Sequence, residues 1–234
     1  MMELQPEAVS TIGRARKMKK RARSRVKEYI EAILIALVIA VILRVFVVQA
    51  YRVESGSMEN TLQVGDFLFV NKYVYHFQDP APGDIIVFEY PLNPNKDFIK
   101  RVVATEGQTV EIVAKKLYVN GNLVLEPNEA KHIDQRLLPV ELSTRDFFGP
   151  KQVPPGQLFV LGDNRDDSKD SRFWGFVDES AVKGRAFFTY FSWAPDPNAP
   201  KWTSPYIDKV FAIAFHYATS FPSRIRWSRL FGTF

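Results

Sequence analysis

The sequence contains no cysteine and only three histidines among its 234 residues. The lack of cysteine excludes a disulfide-built scaffold, a thiolate nucleophile and metal sites held by thiolates. None of the histidines, His76, His132 and His216, stands in a recognisable motif, so a Ser-His-Asp assignment would be arbitrary. We expect neither a cofactor nor a metal site.

No strong compositional bias is present either: 46% of the residues are hydrophobic and 24% are charged. This excludes a disordered or fibrous chain, and the length allows one globular domain plus an anchor. Nine of the basic residues lie between Arg14 and Lys27 without an acidic one, and without them the net charge falls from +5 to about −4. The basic character belongs to this tail, and we expect no nucleic-acid partner.

One long apolar run is present, over residues 32–48, with Arg44 as its only charge. About 20 apolar residues span a bilayer, and we predict a single transmembrane helix over residues 29–49 after a cytoplasmic tail, residues 1–28. The preceding basic residues place everything after residue 50 outside the cytoplasm. A cleavable signal peptide ending near Ala50 is the competing interpretation, but the run is longer than a usual signal-peptide core.

Residues 50–234 carry short β-branched and aromatic runs separated by turn sequences. This pattern favours an all-β barrel or sandwich-like domain. The fold class is therefore mainly β, with the anchor helix in front. Asn120-Gly121 predicts a hairpin, and the more polar stretch 126–151 predicts a β-ribbon or loop insertion. Strands are predicted over 67–70, 84–88, 98–104, 110–113, 116–119, 123–125, 158–161 and 186–191.

A candidate nucleophile lies in Ser55-Gly56-Ser57-Met58, a few residues beyond the predicted anchor. The motif is common in ordinary loops, where its serines only satisfy a turn. A serine nucleophile needs a base, and a lysine can serve if an apolar site keeps its amine neutral. Strand alternation puts Lys100 on one face with Phe98 and Val102. The other interpretation of Lys100 is an edge-strand lysine that opposes aggregation.

Residues 161–172 form the most informative segment, with four aspartates and two arginines among small polar residues. Calcium binding is one interpretation. The glycine and the final glutamate of an EF-hand loop are missing, however, and two arginines would repel a cation. A network of ion pairs that supports a catalytic group fits the segment better.

Five blocks occur in order along the chain: Ser55-Gly56-Ser57-Met58, Gly65-Asp66, Gly83-Asp84-Ile85-Ile86-Val87-Phe88, Ile99-Lys100-Arg101-Val102, and Gly162-Asp163-Asn164-Arg165 through Gly175. With these blocks the sequence resembles bacterial type I signal peptidases, or leader peptidases, a family of Ser-Lys dyad proteases. The resemblance covers nearly the whole chain after residue 30. Asn60 departs from it, since the family usually has proline there, and Asp167 stands where asparagine is common.

The resemblance implies that Ser57 attacks the scissile carbonyl and that Lys100 takes its proton. It also implies that Ser55 supplies an oxyanion donor and that Ser168 orients the Lys100 amine. Supporting pairs and substrate contacts follow from the same resemblance: Asp163 with Arg101, Asp170 with Arg172, and a substrate site at Tyr51, Val53, Met58 and Ile99.

The implied activity is that of a membrane-bound serine endopeptidase that removes signal peptides after small residues. Its partners would be Sec- or Tat-exported preproteins and the lipid bilayer, which the aromatic-rich stretch 187–234 would touch. The location would be the bacterial cytoplasmic membrane, with the catalytic domain on the periplasmic or outer side. A specialised processing protease for a pilin or conjugation protein, and a non-catalytic anchored β domain, are the alternatives.

Overall fold

The computed structural model describes residues 27–41, 48–196, 213, 216, 219 and 221–234. The chain divides into two units, Met1–Val47 and Val48–Phe234. In the first unit, residues 27–41 form helix α1. Nine large hydrophobic side chains of α1 are more than half exposed: Tyr29, Ile30, Ile33, Leu34, Ile35, Leu37, Val38, Ile39 and Val41.

The predicted anchor is only partly covered by these residues. Among the described residues, no helix combines the length and the apolar character that crossing a membrane requires. Positions 42–47 of the predicted span lie outside the described residues, as does nearly all of the basic tail predicted over 1–28. The span 29–49 also ends differently, because strand β1 already begins at Val48.

The second unit is built on a seven-stranded sheet in the order β1-β2-β11-β3-β4-β9-β10. All of its strand pairings are antiparallel. Its strands are β1 (Val48–Arg52), β2 (Asp66–Asn71), β3 (Ile85–Tyr90), β4 (Asn93–Ala104), β9 (Gln157–Leu161), β10 (Val177–Asp178) and β11 (Val182–Ser192).

A second sheet has four antiparallel strands in the order β7-β6-β5-β8. They are β5 (Thr109–Val113), β6 (Lys116–Val119), β7 (Asn122–Leu123) and β8 (Phe148–Gln152). The predicted hairpin joins β6 to β7, and Asn120 and Gly121 both have positive φ, +51° and +77°, as a two-residue turn of this kind requires. The prediction of a mainly β fold is confirmed.

Short helical turns complete the second unit. Helix α2 covers Ser171–Trp174, and single 3-10 turns cover Gly56–Met58, Val74–His76, Arg165–Asp167, Glu179–Ala181 and Trp227–Arg229. The predicted insertion 126–151 ends inside strand β8. Only its residues 126–147 lie outside named strands. β8 escaped prediction because its sequence contains glycine and proline and most of its side chains are exposed.

Strand β3 is buried on both faces over residues 85–88, and β4 is largely buried from Lys100 to Ala104, whereas residues 94–97 of β4 are exposed. Ile85 and Val87 pack in one apolar cluster, whereas Ile86 and Phe88 pack in another. A third cluster includes Val103 of β4 and residues of the four-stranded sheet. A polar side chain on the middle of β4 is therefore placed in dry surroundings.

Candidate active site

The turn that carries Ser57 is fixed at both ends by the core. Val53 closes strand β1 by exchanging backbone hydrogen bonds of 2.8 and 2.9 Å with Asp66 and Gly65. Ser55 is extended, with φ −123°, and the 3-10 turn Gly56–Met58 follows. Met58 is fully buried in the core, so Ser57 sits at the edge of a cavity on a rigid support, with 8% of its surface exposed.

Lys100 reaches this serine from the middle of β4, where it is paired with Ile86 of β3. Only 3% of its surface is exposed, and its Nζ lies 5.5 Å from the centre of the Phe98 ring. The Nζ donates a hydrogen bond of 2.5 Å to Ser57 Oγ.

The electrostatic surroundings favour a neutral Lys100 amine. Desolvation by burial lowers the pKa of Lys100 to about 8, against the opposing charges of Asp170 and Asp163, and nearby Arg172 lowers it further. The effect of burial dominates because removing an ammonium from water disfavours its charged form. An amine with this pKa is partly deprotonated near neutral pH.

The two other predicted serines lie beside this pair. Ser55 Oγ is 3.3 Å from Ser57 Oγ, with either hydroxyl as the donor. Ser168 is buried, and its Oγ has no hydrogen-bond partner among the described residues. The hydrogen bond from Ser168 to Lys100 that the resemblance implies is not formed in this structure.

Gly162 is a site residue that the sequence reasoning did not single out. A Cβ at this position would lie 2.2 Å from Ser168 Oγ and 2.4 Å from the backbone oxygen of Ser57. Both distances are far inside van der Waals contact. The end of strand β9 can approach the nucleophile turn this closely only because residue 162 has no side chain. Its place between an apolar strand and Asp163 was the one signal for it in the sequence.

Asp163 and Arg101 form the first of the two predicted pairs. The Arg101 guanidinium donates two hydrogen bonds to the Asp163 carboxylate, of 2.9 and 2.8 Å. The Thr61 hydroxyl donates to the same carboxylate, which is fully buried. Arg101 neighbours Lys100 on β4, and Thr61 follows the nucleophile turn, so this carboxylate joins the two segments.

Asp170 and Arg172 form the second predicted pair. Arg172 donates hydrogen bonds of 2.7 and 2.8 Å to the two carboxylate oxygens of Asp170. Asp170 also accepts from the backbone N–H of Gly162 and caps helix α2. Arg172 donates in addition to the carbonyls of Arg145 and Arg165. Both charges are buried and fully paired.

An open cavity of about 830 Å³ runs along the Ser57–Lys100 pair. Its walls are the residues around the end of β1 and the first half of β4, including Tyr51, Val53 and Ile99. β1 is the edge strand of its sheet, and β4 pairs with β9 only from Arg101 onward. Both walls therefore carry backbone groups that the sheet does not use. Met58 lies outside this lining and is fully buried.

Three of the four aspartates of the 161–172 segment are bound to basic side chains. Asp163 pairs with Arg101, Asp170 with Arg172, and Asp166 with Lys115 at 2.8 Å. Within the part of the chain that the structure describes, no cluster of three or more His, Asp or Glu side chains is arranged to hold a metal ion. The segment is an ion-pair network around the Ser57–Lys100 pair.

Comparison with known proteins gives a consistent family assignment. A sequence model of the family described as signal peptidase, peptidase S26, matches residues 26–193. Signal peptidase I of Aquifex aeolicus is 34% identical, over 85% of this chain and 96% of that protein. Signal peptidase I of Pseudomonas aeruginosa is 37% identical, over 73% and 74%. Signal peptidase I of Bacillus licheniformis is 38% identical, over 70% and 88%.

Proposed function

The chain belongs to the signal peptidase family, peptidase S26, and is a serine endopeptidase, and we propose that Ser57 is its nucleophile and Lys100 its general base. The observation that carries this proposal is the 2.5 Å contact between Lys100 Nζ and Ser57 Oγ. A lysine that is 97% buried against apolar groups and points at a serine hydroxyl has the surroundings that an activated nucleophile needs.

In the first step the neutral Lys100 amine accepts the Ser57 hydroxyl proton while Ser57 Oγ attacks the scissile carbonyl carbon. The resulting ammonium then gives that proton to the leaving nitrogen, and the C–N bond breaks to leave an acyl-enzyme. In the second step Lys100 takes a proton from water while the water oxygen attacks the ester carbon. The Lys100 ammonium then returns that proton to Ser57 Oγ as the ester C–O bond breaks, which releases the acid product and restores both residues. The pKa of about 8 lets the amine serve in both directions.

We assign the oxyanion site to the Ser57 backbone N–H and the Ser55 hydroxyl. Ser55 Oγ lies 3.3 Å from the nucleophile, within reach of a tetrahedral oxyanion formed on Ser57. One such donor contributes roughly 3 to 4 kcal/mol to transition-state stabilisation. We also propose that Ser168, whose buried Oγ has no hydrogen-bond partner among the described residues, orients the Lys100 amine when its hydroxyl rotates toward it.

The proposed substrate is the cleavage segment of a preprotein signal peptide in an extended conformation. An extended peptide between the end of β1 and the first half of β4 would bond to the free backbone groups of both walls, as in strand addition. Tyr51, Val53 and Ile99 would then contact alternate side chains and favour small residues. Met58 would act from below, by shaping the floor under the nucleophile.

We propose further that the predicted anchor, as far as the start of strand β1 at Val48, holds the chain in the bacterial cytoplasmic membrane, with the catalytic domain outside. The exposed apolar side chains of α1 support this proposal, because a solvent-facing helix of globular proteins keeps a polar face. The nine basic residues before α1 support a cytoplasmic N-terminus.

The dyad is tested with a purified full-length chain in detergent and a radiolabelled preprotein. Ser57→Ala and Lys100→Met should each lower cleavage by at least about 10³-fold, whereas Ser180→Ala and Lys116→Met, on the surface, should cleave normally. Circular dichroism and thermal unfolding show whether each variant is folded. Substantial cleavage by folded Ser57→Ala or Lys100→Met would rule out the dyad.

A further inference from the structure

Residues 126–134, which we call the strap, begin the stretch between the four-stranded sheet's β7 and β8. The strap is attached to the 163–165 loop through the backbone of Lys131. Lys131 N–H donates to the Asp163 carbonyl at 2.8 Å, and Arg165 N–H donates to the Lys131 carbonyl at 3.0 Å. These bonds form a parallel bridge with Asn164 at its centre.

The 163–165 loop in turn holds the nucleophile turn. Asn164 N–H donates to the Ser57 carbonyl at 3.1 Å, and Asn164 Nδ2 donates to the Gly56 carbonyl at 3.1 Å. Asn164 thus bonds to the nucleophile turn, while its two neighbours, Asp163 and Arg165, bond to the strap.

Two further contacts join the strap to the turn directly. Lys131 Nζ lies 2.9 Å from a carboxylate oxygen of Glu59, and Asn60 Nδ2 donates to the Glu129 carbonyl at 3.1 Å. Glu59 and Asn60 are the two residues after the 3-10 turn. The strap therefore contacts the C-terminal side of the nucleophile turn through Glu59 and Asn60. Asn164 bonds to the N-terminal side of the turn.

Asn60 has a second property that fits this role. Its φ is +86°, in the left-handed region that asparagine tolerates better than most residues. Proline, whose ring fixes φ near −65°, cannot adopt it. The same residue thus permits the backbone turn and supplies the donor that reaches the strap.

We propose that Asn60 and Lys131 are positioning residues, which fix the Gly56–Asn60 turn to the strap and so hold Ser57 Oγ against Lys100 Nζ. The inference deepens the proposed function and rests on it. Neither residue lines the cavity along the Ser57–Lys100 pair. They therefore act on the geometry of attack rather than on substrate binding. Small displacements of a nucleophile have large effects on rate.

The test measures kcat, KM and thermal unfolding for two variants and two matched controls. Asn60→Gly keeps a residue that accepts positive φ but removes the contact with Glu129. Its control is Asn120→Gly, another asparagine with positive φ, in the β6–β7 hairpin. Lys131→Met removes the contact with Glu59, and its control is the exposed Lys116→Met.

Each strap variant should lower kcat about five- to twentyfold with KM within about twofold, and both controls should match the wild type. The double variant Glu59→Lys with Lys131→Glu reverses the ion pair and should recover most of the kcat lost in Lys131→Glu alone.

Unchanged kcat in both strap variants, while Ser57→Ala is inactive, would overturn the positioning role and leave the dyad standing. A lower melting temperature with unchanged kcat for the folded enzyme would also overturn it, since the contacts would then be structural only. Full cleavage by Ser57→Ala would instead overturn the dyad, and the positioning role with it.

Discussion

At the scale of single residues, the proposed catalysis depends on Lys100, whose burial is unfavourable for folding but keeps its amine available as a base. Within the described part of the chain Lys100 forms no ion pair with a carboxylate, and its amine contacts Ser57 Oγ and faces the Phe98 ring. Asp163 and Asp170 are close enough to raise its pKa but are occupied by Arg101 and Arg172. Burial without a direct ion pair is what keeps the amine available as a base.

A stability change with a defined pH dependence follows from this arrangement. The folded pKa of Lys100, about 8, lies below its ordinary value of 10.5, so the folded state binds its proton less tightly than the unfolded state. The free-energy cost of burying the protonated Lys100 amine applies in full below pH 8 and disappears as the pH rises toward 10.5. Lys100→Met should therefore raise the unfolding free energy by roughly 2 to 3 kcal/mol at pH 7 and by progressively less above pH 8.

Denaturant unfolding of the two chains from pH 6 to 10.5 measures this difference, with Lys116→Met as the exposed control. A Lys100→Met chain that is less stable than the wild type at pH 7 would contradict a desolvated amine whose pKa is lowered by burial.

Gly162 gives a second prediction at this scale. In Gly162→Ala the added methyl group would overlap Ser168 Oγ and the Ser57 carbonyl, at 2.2 and 2.4 Å. The rearrangement should displace the nucleophile and lower kcat by about 10²-fold or more. Gly232→Ala is a control for the loss of a glycine, because its φ is not positive and, among the described residues, its Cβ would meet only the Arg229 carbonyl oxygen, at 3.5 Å. Wild-type kcat in Gly162→Ala would show that the strand end can move away freely.

At the scale of elements, the site depends on the hydrogen bonds and the ion pair that hold the loop between β9 and α2 in place. Asp170 caps α2 and binds the Gly162 N–H, while Arg172 ties the same loop to the carbonyls of Arg145 and Arg165. These contacts connect the loop around Ser168 to the stretch between β7 and β8. The aspartate-rich segment thus acts as a rigid scaffold beneath Lys100.

Removing one partner of this scaffold should be costly. Arg172→Met leaves the Asp170 carboxylate buried without its partner, and we expect a loss of about 3 to 5 kcal/mol in unfolding free energy. Arg136→Met, which removes an exposed arginine from its ion pair with Asp134, should change stability little. Equal denaturation midpoints for the two variants would contradict the buried scaffold.

The sequence could predict the elements whose pattern is local. β-branched runs indicated eight strands, and Asn120-Gly121 indicated a hairpin, because side-chain alternation and turn chemistry are encoded within a few residues. β8 could not be found this way, since it is a mostly exposed strand with a glycine and a proline. The role of Gly162 also depends on a long-range approach, between the end of β9 and the Ser57 turn.

Individual site residues also divide into those that a local sequence pattern predicts and those that depend on long-range contacts. Alternation along β4 placed Lys100 with Phe98 and Val102, and the structure has its amine over the Phe98 ring. The contact of Asn60 with Glu129 joins residues 69 positions apart, and no local pattern could indicate it. Met58 carried a motif position but is fully buried in a core cluster with Val53 and Leu62.

At the scale of the whole molecule, the proposed anchor and the proposed substrate both require the nucleophile to lie near the outer surface of the membrane. A signal peptide lies in the bilayer, and its cleavage site emerges at the outer surface. Ser57 follows the predicted span 29–49 by only eight residues, so the chain length itself limits how far the nucleophile can lie from the membrane, to roughly 30 Å at full extension. Sequence position thus matches the place where the substrate is presented.

Membrane anchoring is tested on the full chain by alkaline carbonate extraction of cell membranes. The wild type should remain in the pellet, whereas Leu37→Arg with Val41→Arg should be largely extracted, because each arginine near the centre of a span costs about 2.5 to 3.5 kcal/mol. Met18→Arg, which adds a charge to the basic tail, should stay in the pellet. Extraction of the wild type would contradict the anchor.

The most direct test of the central claim replaces the base chemically. The chain has no cysteine, so Lys100→Cys introduces a single thiol, which 2-bromoethylamine converts to a lysine analogue with sulfur in the side chain. The unmodified variant should be inactive, and alkylation should restore cleavage. The sulfur lowers the pKa of the amine, so the acid limb of kcat/KM should shift to lower pH than in the wild type. A Lys100→Cys chain that cleaves before alkylation, or stays inactive after complete alkylation while folded, would contradict Lys100 as the base for Ser57.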